Sequence, residues 1–388
     1  MLTPIVKNKL RNYKNNNLLR NRIPFDERTN KYLYYQQQPL INFSSNDYLG
    51  LSTHPLVKKA FIDGVQQYGL GSGSSTMISG YFKPQRVLEE KFAEYTKREQ
   101  AILFNSGYHA NLGVIQAVTT RNSHVLLDKL CHASIIDGIR LSQCQYNRYR
   151  HCDSHHAKEI LEKISFSNLL ITESIFSMSG DIAPVGQLLE LAKKNHMLFM
   201  VDDAHGFGVT GKFGGGICDT EDLNQDAIDC LVTPLGKAFG SIGALVSGKQ
   251  ELMEVILQFA RTYTYTTALP PAIISATLAS LEIMRNEYGL REKLHDLIRY
   301  FIKKAKERNI LLNSIHLTPI KTIPIGNNYK VIEIQNKLIN RGFFVSCIRT
   351  PTVPKNEACI RISLNCNHTE NDIEQLLDLI YECLQYKI

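Results

Sequence analysis

Apolar residues along this chain fall into two kinds of run. Some are short and unbroken: Ala101-Ile102-Leu103-Phe104, Val125-Leu126-Leu127, Leu169-Leu170-Ile171, Met197-Leu198-Phe199-Met200-Val201 and Leu231-Val232. Runs that are apolar on both alternating faces predict strands buried within a parallel sheet. Between them lie stretches with helical spacing, over 89–97, 134–141, 157–164 and 186–195, and another that carries Val114, Ile115 and Val118. Strand and helix alternate, which predicts βαβ units with helices on both faces of one sheet.

After Pro270-Pro271 the texture changes. A long helical pattern over 272–283 leads into 290–306. Predicted strands at 315–325, 343–348 and 358–364 then alternate with helices at 329–340 and 370–386. This reads as a smaller α+β domain. Residues 1 to about 40 mix basic, Asn and Gln side chains and read as an arm with one short amphipathic helix over 5–13, and the ordered body begins at Ile41. The expected division is an N-terminal arm over 1–45, a large domain over 46–275 and a small domain over 276–388.

Composition narrows the class without naming a function. The chain has 388 residues, 44% of them hydrophobic, enough for a large core and more than one domain. No apolar run approaches a membrane span, and the basic residues 1–17 lack the apolar core of a signal peptide, so no membrane partner is expected. Nine cysteines, an odd number without a CxxC pair, predict reduced thiols and a cytoplasmic protein. A net charge of +7 is mild for this length, and no nucleic-acid partner is expected.

The candidate chemistry gathers at strand ends. Each predicted strand runs into a polar cluster: Asn105, His132, Ser177, Asp202 with His205, and Thr233 with Lys237. In an open α/β sheet the carboxyl edge of the strands is where ligands sit. A carboxylate there needs an opposite partner. An aspartate and a lysine at neighbouring strand ends suggest pyridoxal phosphate, with Asp202 holding the ring nitrogen protonated and Lys237 forming the Schiff base. The Asn105-Ser106-Gly107-Tyr108-His109 turn opens a helix and so offers free N–H groups to a phosphate, although the same pattern is ordinary capping. Gly69 to Ser75 is glycine-rich but lacks the Gly-Lys-Ser/Thr of a P-loop. Arg361 alternates with Ile360 and Ile362, which fits a solvated strand position or a carboxylate clamp equally well. The His151-Cys152-Asp153-Ser154-His155-His156 cluster reads as a surface turn, and no metal is expected.

With those residues placed, the chain from about Arg20 onward resembles the α-oxoamine synthases, pyridoxal-phosphate enzymes of aminotransferase fold type I. The resemblance rests on the runs Asn42-Phe43-Ser44-Ser45-Asn46-Asp47-Tyr48-Leu49-Gly50-Leu51, Cys131-His132-Ala133-Ser134, Phe176-Ser177-Met178, Val201-Asp202-Asp203-Ala204-His205-Gly206, Gln258-Phe259-Ala260-Arg261 and Ile348-Arg349-Thr350-Pro351-Thr352-Val353-Pro354. It implies a mostly parallel central sheet covered by helices plus a smaller C-terminal α+β domain. It also implies an acyltransferase working as a homodimer. The last two runs resemble the branch that condenses L-alanine with pimeloyl-CoA or pimeloyl-acyl carrier protein on the way to biotin. The alternatives are the glycine-using branches, glycine C-acetyltransferase and 5-aminolevulinate synthase, or a non-catalytic subunit of the same fold.

The resemblance also implies roles. Lys237 carries the cofactor and shuttles the α-proton, Asp202 pairs with the ring nitrogen, and His132 stacks on the ring. His205 and Ser177 contact the phenolic oxygen and ring edge, and Gly107 and Tyr108 lie by the phosphate. Arg361 holds the amino acid carboxylate with Asn46 nearby, Arg20 reaches the acyl substrate, and Thr352 is on the substrate side. Thr266 and Thr267 approach the phosphate across a dimer interface. The family usually has threonine three residues before the lysine. Here Pro234 stands there and Thr233 lies four before, so either the turn holds an extra residue or the hydroxyl contact is lost.

Overall fold

The computed structural model describes residues 3–15, 18–164, 166–223 and 227–385. Tyr386, where the last helix was expected to end, and Asn16-Asn17 lie outside them. The large part is a seven-stranded sheet in the order Gln100–Phe104, Ala244–Gly248, Cys230–Pro234, Leu198–Asp202, Leu169–Glu173, His124–Asp128 and Gln145–Tyr149. Every strand runs parallel except Ala244–Gly248, which pairs antiparallel with both neighbours. The His124–Asp128 and Leu169–Glu173 strands are buried throughout, as unbroken apolar runs require.

Register decides what meets at the carboxyl edge. Glu173 pairs with Asp202, and Asp202 with Val232. The turn after Cys230–Pro234 therefore carries Lys237 to the same edge as two carboxylates. Helices Gly107–Val118, Ala133–Ser142 and Val185–Lys194 return the chain between strands and close the faces.

Helices Pro271–Asn286 and Tyr288–Glu307 follow, close to the expected ranges. The C-terminal part holds an antiparallel sheet in the order Ile320–Gly326, Ala358–Ser363 and Ser346–Ile348, with helices Asn328–Asn340 and Glu370–Gln385. One apolar core runs from Phe43 and Leu51 through Phe207, Phe239 and Met284 to Ile362 and Ile380.

Two regions differ from expectation. The segment read as an arm does contain the amphipathic helix, Pro4–Asn15, but it also holds strands Glu27–Thr29, Tyr32–Tyr35 and Gln38–Asn42. The last of these pairs in parallel with Phe343-Phe344, so this stretch joins a sheet with C-terminal residues. Gln145–Tyr149 was not anticipated either. It is an edge strand whose first four residues are exposed, so apolar periodicity has nothing to report.

Candidate active site

A cleft of about 210 Å³ opens at the carboxyl edge and brings together Gly107, Tyr108, His132, Ser177, Asp202, His205 and Lys237. The sequence named all seven. Asp202 is buried at its strand end. Its Oδ2 accepts a hydrogen bond from Asn111 Nδ2 at 2.8 Å, and its Oδ1 accepts from the Ala204 N–H at 3.1 Å. Asp203 points away from the cleft: its carboxylate accepts from Ser174 Oγ and from the Ile217 N–H at 3.0 Å. Adjacent strand residues face opposite ways, so only Asp202 serves the site.

His132 is both a cap and a wall. Its Nδ1 lies 2.8 Å from Ser134 Oγ at the start of helix Ala133–Ser142, and its backbone N–H donates to Glu173 Oε1 at 2.6 Å. Asn111 Nδ2 also donates to Ser134 Oγ at 2.9 Å, so His132 and Asp202 hang on one hydrogen-bonded chain. Burial pushes the His132 imidazole below its ordinary value, against the pull of Asp202. The fully buried His205 is pushed down further, by burial and then by the Lys237 and Arg361 charges. Both rings are therefore neutral near pH 7. Tyr48 OH lies 2.6 Å from His205 Nδ1 and fixes that ring.

Burial also lowers Lys237, opposed by Asp202 and Glu173. Glu173, in turn, is raised by burial and by its neighbour Asp202. The site thus holds an amine eased toward its neutral form beside a carboxylate held in place by two donors.

One end of the cleft is set by helix Gly107–Val118, whose Gly107 and Tyr108 line it. Ser106 caps it, accepting the His109 N–H at 3.2 Å, which leaves the first-turn amides facing the cleft. A Cβ at Gly107 would lie 2.7 Å from Pro234 Cγ, so only glycine permits this approach. Tyr108 OH donates to Asp137 Oδ2 at 2.5 Å. The proline shift has a definite outcome. Pro234 lines the cleft, while Thr233 is fully buried outside the lining with its Oγ1 unpaired. The structure does not bring Thr233 to the site.

Thr266 and Thr267 are also off this cleft. Asn105 Nδ2 donates to Thr266 Oγ1 at 3.2 Å and to the Thr267 carbonyl at 2.7 Å, and Thr267 is exposed.

Arg361 resolves the choice left open by its periodicity. It is buried, its Nε donating to the Ser177 carbonyl at 2.8 Å, Nη1 to Ser363 Oγ at 2.8 Å and Nη2 to Asn46 Oδ1 at 3.2 Å. These acceptors are all neutral, and among the described residues no carboxylate forms an ion pair with it. A buried cation held by neutral groups calls for an anionic ligand.

Ser177 also lines a second, wider cleft of about 800 Å³, with Leu130, Phe176, Ile325 and Val353 among its walls and Thr352 at its rim. Arg20 Nη2 donates to Thr352 Oγ1 at 2.5 Å, so the residue named for the acyl substrate touches the one named for the substrate side.

Asn111, Glu173 and Tyr48 were not named. Glu173 ends a buried strand just as Asp202 does, and Asn111 lies one helical turn past Gly107, so each had a positional signal. The histidine cluster is more than a surface turn. His151 bridges Asp128 (Nδ1–Oδ1, 3.0 Å) and Asp181 (Nε2–Oδ2, 3.2 Å). Asp128, His151 and Cys152 place ligand-type atoms within 4.8 Å of one another, whereas His155 pairs separately with Glu159 at 3.1 Å.

The residues fit pyridoxal phosphate on their own terms. Lysine and aspartate share a cleft, an imidazole face is exposed to it, and glycine lets the phosphate-side helix approach.

Residues 38–380 match the family of class I and II aminotransferases. The chain is 43% identical over 351 residues to 8-amino-7-oxononanoate synthase of Saccharophagus degradans, covering 90% of this chain and 88% of that protein. It is 42% identical to the enzyme of the same name from Pseudomonas fluorescens, with the same coverage. Among solved structures it is similar to 8-amino-7-oxononanoate synthase of Francisella tularensis, with a TM-score of 0.78 and 36% identity over 90% of this chain and 98% of that one. A serine palmitoyltransferase from S. paucimobilis shares the fold, with a TM-score of 0.92 at 24% identity over 98% of this chain and 96% of that one.

Proposed function

The chain belongs to the class I and II aminotransferase family and, within it, to the 8-amino-7-oxononanoate synthases, and on that premise we propose how its own residues carry the reaction. The reaction is the condensation of L-alanine with a pimeloyl thioester, giving 8-amino-7-oxononanoate, CO2 and a free thiol on the route to biotin. Bound pyridoxal phosphate supplies an electron sink for the bonds at the alanine Cα.

Lys237 would hold the cofactor through Nζ, and as a neutral amine it would take the Cα proton and later return it. Its lowered pKa supports both duties. Asp202 keeps the cofactor's ring nitrogen protonated, and Asn111 and the Ala204 amide hold the carboxylate in line. His132 would hold the cofactor from the wall of the cleft, and neutral His205, fixed by Tyr48, would contact it together with Ser177. The amides at Gly107 and Tyr108 bind the phosphate. Arg361, steadied by Asn46 and Ser177, binds the alanine carboxylate that departs as CO2. Thr352 and Arg20 meet the thioester donor at the rim of the wide cleft.

The observation that carries this reading is the meeting, at Ser177, of the Lys237–Asp202 cleft with the 800 Å³ cleft beside Arg361. It sets the cofactor and amino acid in the smaller cleft beside the wider one, which has room for the acyl chain. Mass spectrometry of products from paired amino acids and thioesters tests it. Pimeloyl-CoA with alanine should give 8-amino-7-oxononanoate faster than acetyl-CoA or succinyl-CoA turns over with glycine. The reverse ranking would overturn the choice of branch.

Thr266 and Thr267 then act across a homodimer interface. Ile62 and Ile242 are exposed and line one apolar groove with Val57, Phe61 and Ile273, a surface that a second copy could cover. Mixing an inactive Lys237→Ala protein with an inactive double variant of Thr266 and Thr267 should restore activity through hybrid dimers. A fully active monomer in light scattering would exclude shared sites.

A further inference from the structure

One cluster of chemically active side chains lies outside the lining of both clefts. Asp128 ends strand His124–Asp128, and the loop after strand Gln145–Tyr149 brings His151 and Cys152 against it. The Asp128 carboxylate is fully buried and held by two amides, the Leu130 N–H on Oδ1 and the Cys152 N–H on Oδ2, each at 2.8 Å. His151 Nδ1 lies 3.0 Å from Asp128 Oδ1. Its Nε2 lies 3.2 Å from Asp181 Oδ2, and Ser179 Oγ donates to the same oxygen. Phe176 packs edge-on against the imidazole, with ring centroids 4.4 Å apart. Cys152 Sγ lies 3.8 Å from Nδ1 and 3.6 Å from Nε2, against the ring face. Cys152 also holds a left-handed backbone, with φ of 52°, which a non-glycine residue keeps only where its surroundings impose it.

Three donors of different type therefore converge, a carboxylate, an imidazole and a thiol, with ligand atoms all within 4.8 Å of one another. Calcium and magnesium take oxygen ligands, whereas zinc takes this mixed set. Tetrahedral zinc spaces such atoms about 3.3–3.6 Å apart. The Nδ1–Oδ1 pair has only to open slightly, and the half-exposed thiol has to swing off the ring toward Asp128. Asp181 fits the outer layer of such a site, since a carboxylate on the far nitrogen is how metal-bound histidines are oriented. Lys321 is the other cation that acts on Asp181, but its Nζ is turned to the His316 carbonyl.

We propose that Asp128, His151 and Cys152 form a binding site for one zinc ion, with water as the fourth ligand and Asp181 orienting the imidazole. Binding releases the thiol proton and the Nδ1 proton to solvent. The ion ties the loop after Gln145–Tyr149 to the strand that leads to His132, and through Asp181 to the loop of Ser177. It takes no part in the reaction proposed above. The site is an exchangeable clamp beside the catalytic cleft and stands whichever substrates the enzyme uses.

Cobalt reports this geometry. Titrating the cofactor-loaded enzyme with Co2+ should develop tetrahedral d–d bands in the red, clear of the cofactor's absorption, that saturate at one equivalent and are bleached by Zn2+. In Cys152→Ser the bands should be lost, and Zn2+ affinity in competition with a chromophoric chelator should fall at least about 100-fold. Asp181→Asn should keep the bands and bind about 10- to 100-fold more weakly. Zn2+ should also raise the melting temperature of the wild type and not that of Cys152→Ser. A wild type that shows only the pale spectrum of aqueous cobalt would overturn the proposal, as would a Cys152→Ser protein that binds either ion as the wild type does. Should Cys152→Ser fail to fold, alkylation of the wild type decides. Zn2+ should slow iodoacetamide labelling of the Cys152 peptide at least about tenfold, and equal labelling with and without the ion would overturn the site.

Discussion

In the cleft at the strand ends, most ionisable side chains already have a fixed partner: Asp202 has Asn111, His205 has Tyr48, His132 has Ser134, and Glu173 has the His132 amide. These groups come from the ends of neighbouring strands and from capped helices, elements that cannot shift without breaking the sheet. Across Ser177, the 800 Å³ cleft is walled by loops and by strands Ile320–Gly326 and Ala358–Ser363, far apart in sequence, and its named polar contact, Arg20 with Thr352, is exposed. The first region spends its residues on preorganised charge, which bond-breaking at Cα needs. The second supplies room and apolar wall, which lets methylenes add discrimination of about 0.8 kcal/mol each.

Substitutions should therefore divide by region. Lys237→Ala should remove activity by about 10³-fold or more, and borohydride should no longer fix the cofactor's mass to the chain. Label that persisted on another lysine would break the assignment. Asp202→Asn should keep bound cofactor while costing about 10²- to 10³-fold in kcat, because the amide keeps the shape and loses the charge. Asp203→Asn, one residue on but facing the core, should lower thermal stability and leave kcat within a fewfold. Arg361→Ala should raise the KM for alanine by about 50-fold with little change for the thioester, as loss of a buried charge-assisted contact predicts.

In the wide cleft the effects shrink. Thr352→Ala removes one exposed hydrogen bond and should raise only the thioester KM, by about fivefold. If that rise matched the alanine effect of Arg361→Ala, the contrast between the regions would fail.

The smallest expected effect concerns His151, which braces the Ser177 loop through Asp181. Burial alone lowers this imidazole, but its bonds to Asp128 and Asp181 overcome that and raise it from 6.5 to about 11. A raised value means that the charged form's stabilisation is complete below pH 6.5 and is lost as pH climbs toward 11. The melting temperature of His151→Gln should therefore trail the wild type by a few degrees near pH 6, and the gap should narrow as pH rises and close only above about pH 11. A gap that widened with pH would reverse the assignment.

Much of the catalytic cleft was legible in the chain because strand ends punctuate it. Most buried apolar runs announced their own terminus, and polar residues soon after it, His132, Ser177, Asp202, His205 and Lys237 among them, line the cleft. What escaped lay where neighbours in space leave no local trace. The Gln145–Tyr149 strand is polar because it forms an edge, and Ala244–Gly248 is antiparallel in an otherwise parallel sheet. Asn111 had a positional signal one turn past Gly107, but its partner Asp202 is 91 residues away and only the fold shows the contact. For Thr233 and Pro234 the sequence posed the question and the fold answered it, since a proline ring packed on Gly107 leaves the hydroxyl no way into the cleft.

The three neutral partners of Arg361 come from positions 46, 177 and 363, and the strand that bears the arginine belongs to the C-terminal sheet. A carboxylate bound there, as proposed, would become one more member of that knot. Opening the loop around Ser177 then requires releasing the ligand first, so the free energy of local unfolding rises by RT ln(1 + [L]/Kd). Amide exchange in the segment bridged by Ile175 and Ile182 should slow as alanine is added. The amino acid would then act as a strut in the native state as well as a reactant, and the enzyme's resistance to proteolysis would report how much of its substrate is present.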